Sequence, residues 1–352
     1  MKILVTVPAF NLVGGGGVAN QYLGLEPYWK QDVRYCVYGK RKHISAILTF
    51  IPDLFIYFFR LLFGRYDVVM VNPSFKKYQL FRDGLYLIIA KLLGKKVVTF
   101  FHGWDVNLAS KYKTNPGIFY YVYNKNNLIF VLAKAFREQL REIGINCPVV
   151  ISTTKVEDSL LSDFSLSNVN RHGNRILFLA RIVKEKGLDI AIQAFQIAIK
   201  RNPNLFIDIA GDGDYLKEMK SYVKQHNIPN VEFYGFVSGN KKIELMSKAD
   251  IYILPSSWQE GLATSVLESM AFGLAVISRP VGGIIDFFVN DKMGFLTESL
   301  NPDDYAEILL RYINDKSLLE EISEYNYKYA KEHFLASKVA ENIESQIMDK
   351  CR

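Results

Sequence analysis

Short apolar runs alternate with helix-length segments along the whole chain. In the first half KILVTV (2–7), VRYCVYG (33–39), YDVVMVN (66–72), KKVVTFFHG (95–103), LIFVLA (128–133) and CPVVIS (147–152) read as strands. RILFLAR (175–181), LFIDIAG (205–211), VEFYGF (231–236), IYILP (251–255), LAVISR (274–279) and GFLTE (294–298) repeat the pattern in the second half. Such alternation marks α/β architecture with parallel sheets, and twelve strands are too many for one ordinary sheet. The polar stretch EDSLLSDFSLSNVNRHGN (157–174) reads as the linker between two doubly wound domains. The expected boundaries are 1–165 and 166–334. The last helical pattern, from about 317 to 350, is long enough to leave the second domain, so that about 335–352 would pack back on the first.

Composition agrees with this organisation. A chain of 352 residues with 49% hydrophobic and 22% charged residues can build two globular cores. Cys36, Cys147 and Cys351 lie far apart with no Cys-x-x-Cys, which favours a reducing compartment and argues against zinc. MKILVTVPAF is too short an apolar run for a signal peptide and reads as a first strand.

Charge changes the picture. Residues 1–150 hold 20 Lys and Arg against 8 Asp and Glu, a surplus of +12, whereas the remainder holds 23 against 28, or −5. A basic first half implies an anionic partner, and the lack of a motif with base-stacking aromatics turns the expectation away from nucleic acid. Residues 40–65, KRKHISAILTFIPDLFIYFFRLLFGR, set an apolar segment between Lys40, Arg41, Lys42 and Arg65. As a membrane span it is poor, because Pro52, Asp53 and Arg60 interrupt it and each central charge costs about 2.5 to 3.5 kcal/mol. A buried domain helix fits the segment alone equally well, but with the basic first half it reads as an element lying on an anionic membrane. The expected location is cytoplasmic, peripheral on the inner face of the cell membrane.

In open α/β sheets ligands bind beyond the carboxyl ends of strands, so two facing sheets would share a cleft. Arg181 and Lys186, after RILFLA, would form an anion clamp near a helix start. PSSWQEGLATS follows the strand IYILP and leads into a helix that stops near Gly273. Glu260 and Glu268 have seven residues between them, roughly 10 Å at helical rise. That is too far to share a proton. It suits contacts to different parts of one long ligand, with the amides of Leu262, Ala263 and Thr264 free for a phosphate. A ligand with hydroxyls, a diphosphate and hydroxyls again is a nucleotide sugar.

The motifs LARIVKEKGLDIAIQAF, IDIAGDGDYL, VEFYGFV and ADIYILPSSWQEGLATSVLESMAFGLAVISRPVGG, in this order, make the chain resemble the retaining GT-B glycosyltransferases of family 4 over about residues 174–334. The resemblance implies two Rossmann-like domains facing a nucleotide-sugar cleft, with a C-terminal helix crossing back. It also implies that Arg181 and Lys186 hold the donor diphosphate, Glu260 the sugar hydroxyls and Glu268 the ribose, and that Phe236 and Val237 present backbone to the base. Gly261, Leu262, Ala263 and Thr264 would line the donor. Ala180, Ala263 and Ala275 depart from the commonest pattern, as does Arg279-Pro280.

GGGGVAN (14–20) can cradle a phosphate, since glycine lets amides approach closely, but no Gly-Lys-Ser/Thr follows to make a P-loop. In the family a Gly-rich loop here lies beside donor and acceptor, which brings in Gly16 and Gly17. His102 ends the strand KKVVTFFHG, where the family commonly has a histidine, and its imidazole can bond a sugar or leaving group. Asp105 after it is a helix cap. GDGD (211–214) reads as a turn with Asp214 as N-cap rather than a metal site. The expected activity is transfer of a hexosyl group from a nucleoside-diphosphate sugar, UDP favoured over GDP, to a glycan or lipid-linked saccharide in cell-surface polysaccharide synthesis. No metal or cofactor is expected. Rival readings are a 2-epimerase of the same fold and a non-catalytic nucleotide-sugar-binding protein.

Overall fold

The computed structural model describes the chain apart from residues 11–16, 41–44, 170, 172, 259–260 and 352. The chain divides into two compact units. Met1–Lys155, Gln259–Leu262 and Ala336–Arg352 form the first, and Val156–Trp258 with Ala263–Leu335 the second.

The first unit runs β1 (Lys2–Pro8), α1 (Gly17–Leu25), β2 (Asp32–Tyr38), α2 (Ala46–Phe63), β3 (Val68–Val71), α3 (Lys77–Leu92) and β4 (Lys96–Phe100). It continues through α4 (Val106–Thr114), α5 (Gly117–Tyr123), β5 (Leu128–Val131), α6 (Lys134–Glu142) and β6 (Val149–Ile151). The strands pair in parallel in the order β2-β1-β3-β4-β5-β6. VVMV of β3 and LIFV of β5 are buried along their whole length, as central strands covered on both faces must be.

The second unit runs β7 (Arg175–Leu179), α7 (Leu188–Arg201), β8 (Phe206–Ala210), α8 (Leu216–Gln225), β9 (Val231–Gly235) and α9 (Gly239–Lys248). Then come β10 (Ile251–Leu254), α10 (Thr264–Ala271), β11 (Ala275–Ser278), β12 (Gly294–Leu296), α11 (Pro302–Asn314) and α12 (Lys316–His333). Its parallel order, β12-β11-β10-β7-β8-β9, is that of a dinucleotide-type doubly wound sheet. All twelve expected strands are present.

Two expectations need correction. The polar stretch 157–174 is no free linker: the chain leaves the first unit at Lys155, before the expected boundary at 165, and from Val156 onward it belongs to the second. The Phe164 ring lies 4.6 Å from that of Phe272, and the buried Arg171 guanidinium donates to the carbonyls of Ala249 and Phe272. Polar composition concealed this, because Arg171 works by capping backbone rather than by burying apolar area. The long C-terminal pattern is also two helices, α12 and α13 (Ala336–Lys350). Between them Leu335 bridges to Val156, and α13 then joins the first unit.

Glu344 anchors α13. Its carboxylate is buried and accepts from the Lys30 amide at 2.9 and 3.1 Å and from the Gln31 amide at 2.8 Å. Bonds to a charged acceptor are stronger than neutral ones, and losing it strands two amides. Glu344→Ala should destabilise the first unit by about 2–3 kcal/mol, and Glu344→Gln by less, measured by urea unfolding.

Candidate active site

In a doubly wound sheet the crevice opens where adjacent strands send their crossovers to opposite faces. In the second sheet that point lies between β7 and β10. Arg181 and Lys186 follow β7, and the loop into α10 follows β10.

The two loops are bonded together. The Ser257 amide donates to the Glu185 carbonyl at 2.8 Å, and the Ser257 hydroxyl to the same oxygen at 3.2 Å. Gly187, with φ of 72°, ends the clamp loop against Pro255, where a Cβ would collide with the Pro255 carbonyl. On the other flank the Ile182 amide donates to the Asp212 carbonyl at 2.9 Å. Gly213 there approaches the Ile182 carbonyl too closely for a side chain. GDGD is thus a backbone buttress for the clamp. Asp214 is not the cap expected of it: Tyr215 holds the N-cap position of α8, and the Asp212 carboxylate accepts from the Gly213 amide at 2.8 Å. Among the described residues no three His, Cys, Asp or Glu side chains gather as a metal site.

Within the clamp, Arg181 is exposed and its guanidinium lies 6.0 Å from the centre of the Trp258 ring. Lys186 is only 8% exposed, on the short turn Lys184–Lys186 ahead of α7. One buried and one exposed cation thus bring two positive charges to a single loop. Ala263 occupies the N-cap of α10 and offers no side-chain bond, so the first amides of that helix are uncapped by it. An anion can take that role. Thr264 opens α10, and Gly261 and Leu262 fall in the segment that joins the first unit. Glu260 lies outside the described residues, as does Gly16.

Glu268 lies in the body of α10, buried, with Oε1 2.7 Å from Lys242 Nζ. The sequence pattern does not single out Lys242, which stands 26 residues away in a polar helix. Its one signal is its place near the start of α9, at the strand ends where the other site residues cluster. Lys242 engages one carboxylate oxygen and so fixes how Glu268 is presented. Phe236 follows β9 and is 79% exposed, with Val237 half-buried beside it.

In the first unit Gly17 begins α1. His102 follows β4 and is stacked on Phe100, with ring centres 4.1 Å apart. Its Nε2 lies 3.0 Å from Asn72 Oδ1. Asn72 also escapes the sequence pattern, although it stands directly after β3. The amide of Asn72 cannot be turned round, because its Nδ2 donates to the Thr6 carbonyl at 2.9 Å and its Oδ1 already accepts from the Tyr22 hydroxyl at 2.5 Å. His102 must therefore donate from Nε2, which leaves Nδ1 as an acceptor. Burial lowers the imidazole to about 3, so the ring is neutral at physiological pH. Asp105 caps α4 as expected, accepting from the Leu108 amide at 3.0 Å.

The unfolded chain carries a His102 that titrates near 6.5, so between that value and about 3 it binds more protons than the native state. Stability should fall as pH drops through that window. His102→Gln should lessen this loss, measured by urea unfolding near neutral pH and at about pH 4.5. Asn72→Asp, which sets a carboxylate against Nε2, should raise the imidazole pKa in an NMR titration.

Comparison with known proteins shows what the chain resembles. Residues 163–329 match the model described as Glycosyl transferases group 1. An uncharacterized glycosyltransferase of Methanocaldococcus jannaschii is 25% identical over 81% of this chain and 76% of its own length. The amylovoran biosynthesis glycosyltransferase AmsK of Erwinia amylovora is 26% identical over 63% of this chain, which spans 56% of AmsK. The crystal structure of Anabaena HepE in complex with UDP-glucose matches 99% of this chain and 100% of its own with a TM-score of 0.71, at 17% identity. The two relatives named are thus glycosyltransferases, one of them from amylovoran biosynthesis; the second unit of this chain matches glycosyl transferases group 1, and its whole length carries the GT-B fold.

Proposed function

We propose that this protein is a retaining glycosyltransferase of family 4, which moves a hexosyl group from a nucleoside-diphosphate sugar to an acceptor hydroxyl without a metal or cofactor. The observation that carries the reading is the bonding of the Arg181–Lys186 loop to the loop that enters α10. Two cations and a helix start at one strand junction suit a diphosphate. UDP is the favoured nucleotide; the crystal structure of HepE, which shares the fold, is a complex with UDP-glucose. The acceptor is a lipid-linked saccharide, extended for a cell-surface polysaccharide in the cytoplasm at the inner face of the membrane. The amylovoran assignment of AmsK supports that direction.

In this mechanism Arg181, Lys186 and the α10 amides stabilise charge as it develops on the leaving diphosphate. Glu268, oriented by Lys242, accepts from the ribose hydroxyls, and Glu260 from those of the sugar. Phe236 and Val237 meet the base, and Gly16 and Gly17 approach the phosphates. His102 takes a hydrogen bond from the sugar at Nδ1, and its neutrality keeps it from acting as an acid at physiological pH. The acceptor attacks from the side the diphosphate leaves, and a leaving phosphate oxygen receives its proton.

Incubation with UDP- and GDP-sugars, with and without acceptor, tests the class. Transfer releases nucleoside diphosphate only when acceptor is present; an epimerase converts the sugar alone, and a binding protein does neither. Arg181→Ala and Lys186→Ala should each lower kcat/KM by about 100- to 1000-fold. Glu268→Gln should raise the UDP dissociation constant, and Glu260→Ala should reduce turnover more than affinity. Unchanged kinetics in folded variants would remove these residues from the site.

Metal independence has its own test. Activity should survive EDTA, and complete loss restored by manganese or magnesium would show that a metal takes part.

A further inference from the structure

Helix α2 is amphipathic in the reverse of the usual sense. Its inward stripe is Thr49, Asp53, Tyr57 and Leu61, each buried and four residues from the last. Three of the four are polar and bonded to the domain. Thr49 donates to the Gly39 carbonyl at 3.0 Å, Asp53 accepts from the Gly39 amide at 2.8 Å, and the Tyr57 hydroxyl donates to the Tyr86 carbonyl at 2.9 Å. The opposite face carries Leu48, Ile51, Phe55, Phe59 and Leu62, all exposed, from 71% at Leu48 to 49% at Leu62. A core-packing helix would show the opposite arrangement.

The apolar face does not stop at α2. Helix α3 packs against both α2 and α5. Exposed Phe81 and Leu92 lie on α3 and exposed Ile118 on α5, and Phe81 and Ile118 line one groove. Fourteen of the 22 large apolar side chains exposed among the described residues lie on these three helices. A concentration of this kind marks an interaction surface rather than scattered surface apolarity.

Charge selects the partner. Helices α2, α3, α4 and α5 contain two carboxylates, Asp53 and Asp83, and both are buried. Asp83 pairs with Arg82 at 2.5 Å. Their solvent-facing charges are cations: Arg60, Lys77 and Lys111 are exposed, as is Lys113, which pairs with Glu142 of α6 at 3.2 Å. An apolar face on helices that expose cations and no acid is the complement of anionic headgroups over hydrocarbon.

We propose that the outward face of α2, continued by α3 and α5, docks the first unit on an anionic lipid bilayer. The helix lies in the interface plane. Its 18 residues have a mean hydropathy of 1.8, enough by length and composition to cross a membrane. Crossing would tear Thr49, Asp53 and Tyr57 from their partners, whereas lying flat keeps those bonds and places Phe55 and Phe59 among acyl chains. This docking goes beyond the transfer reaction and stands whether or not that reaction is the correct one.

The test is flotation of the full chain with vesicles of phosphatidylcholine containing phosphatidylglycerol, against phosphatidylcholine alone, at low and high salt. Binding to the anionic vesicles should fall with salt. The double variant Phe55→Gln with Phe59→Gln changes exposed positions only, and should partition about tenfold less, with circular dichroism unchanged. Lys77→Glu with Lys111→Glu should reduce binding to anionic vesicles by about tenfold or more and leave weak binding to neutral ones unaltered. Cys36, Cys147 and Cys351 are buried, so an environment-sensitive dye on Leu48→Cys reports insertion by a blue shift. Three results would overturn the proposal: no flotation at low salt, full flotation of the glutamine variant, or self-association without vesicles that this variant abolishes. The last would make the face a subunit interface.

Discussion

Backbone pressed on backbone fixes the loop of the second unit that carries Arg181 and Lys186. The exit loop of β7 lies between two neighbours, with Gly187 against the Pro255 carbonyl and Gly213 against the Ile182 carbonyl. Both glycines have positive φ, 72° and 155°, and a Cβ at either would strike a carbonyl oxygen. Hydrogen bonds donated by the Ile182 amide to the Asp212 carbonyl and by the Ser257 amide to the Glu185 carbonyl close the gaps. The result is a loop whose backbone cannot shift without breaking contacts on both flanks, so the positions from which Arg181 and Lys186 project are fixed. A backbone held in this way would meet the proposed diphosphate without rearranging.

Polar side chains near this framework act through the oxygens and nitrogens they occupy as much as through those they leave open. Lys242 takes one oxygen of Glu268 and so holds the orientation of its carboxylate. Asn72 does the same for His102. Held by Thr6 and Tyr22, it demands a proton from the imidazole Nε2 and leaves Nδ1 with its lone pair. Burial then keeps the ring neutral. A histidine so constrained is a hydrogen-bond acceptor of fixed direction, a more specific instrument than its residue type implies.

The first unit uses buried polar bonds for a different end. Gly39, just after β2, takes Thr49 on its carbonyl and Asp53 on its amide, which turns the polar stripe of α2 inward. The apolar residues of that helix are left outside because the inner positions are already filled. Glu344 likewise ties α13 to the backbone at Lys30 and Gln31, so the last helix belongs to a unit far from it in sequence.

Strand periodicity alone identified all twelve strands and the two sheets, since a run such as IYILP or VVMV has only one stable setting, the middle of a covered parallel sheet. Motif spacing also placed Arg181 and Lys186 after one strand of the second unit and Glu268 on the helix that follows another, because position after a strand is a local property. Relations between distant positions were beyond its reach. Lys242 meets Glu268, and Asn72 meets His102, only because the crossovers after β9 and β10, or the ends of β3 and β4, fall at the same side of a sheet. The fate of 157–174 and the break between α12 and α13 depended on single polar anchors, Arg171 and Glu344, which leave no periodic trace. The sense of α2 was hidden for the same reason: its hydrophobic pattern is equally good for a core or a membrane, and tertiary hydrogen bonds to Gly39 decide which face points out.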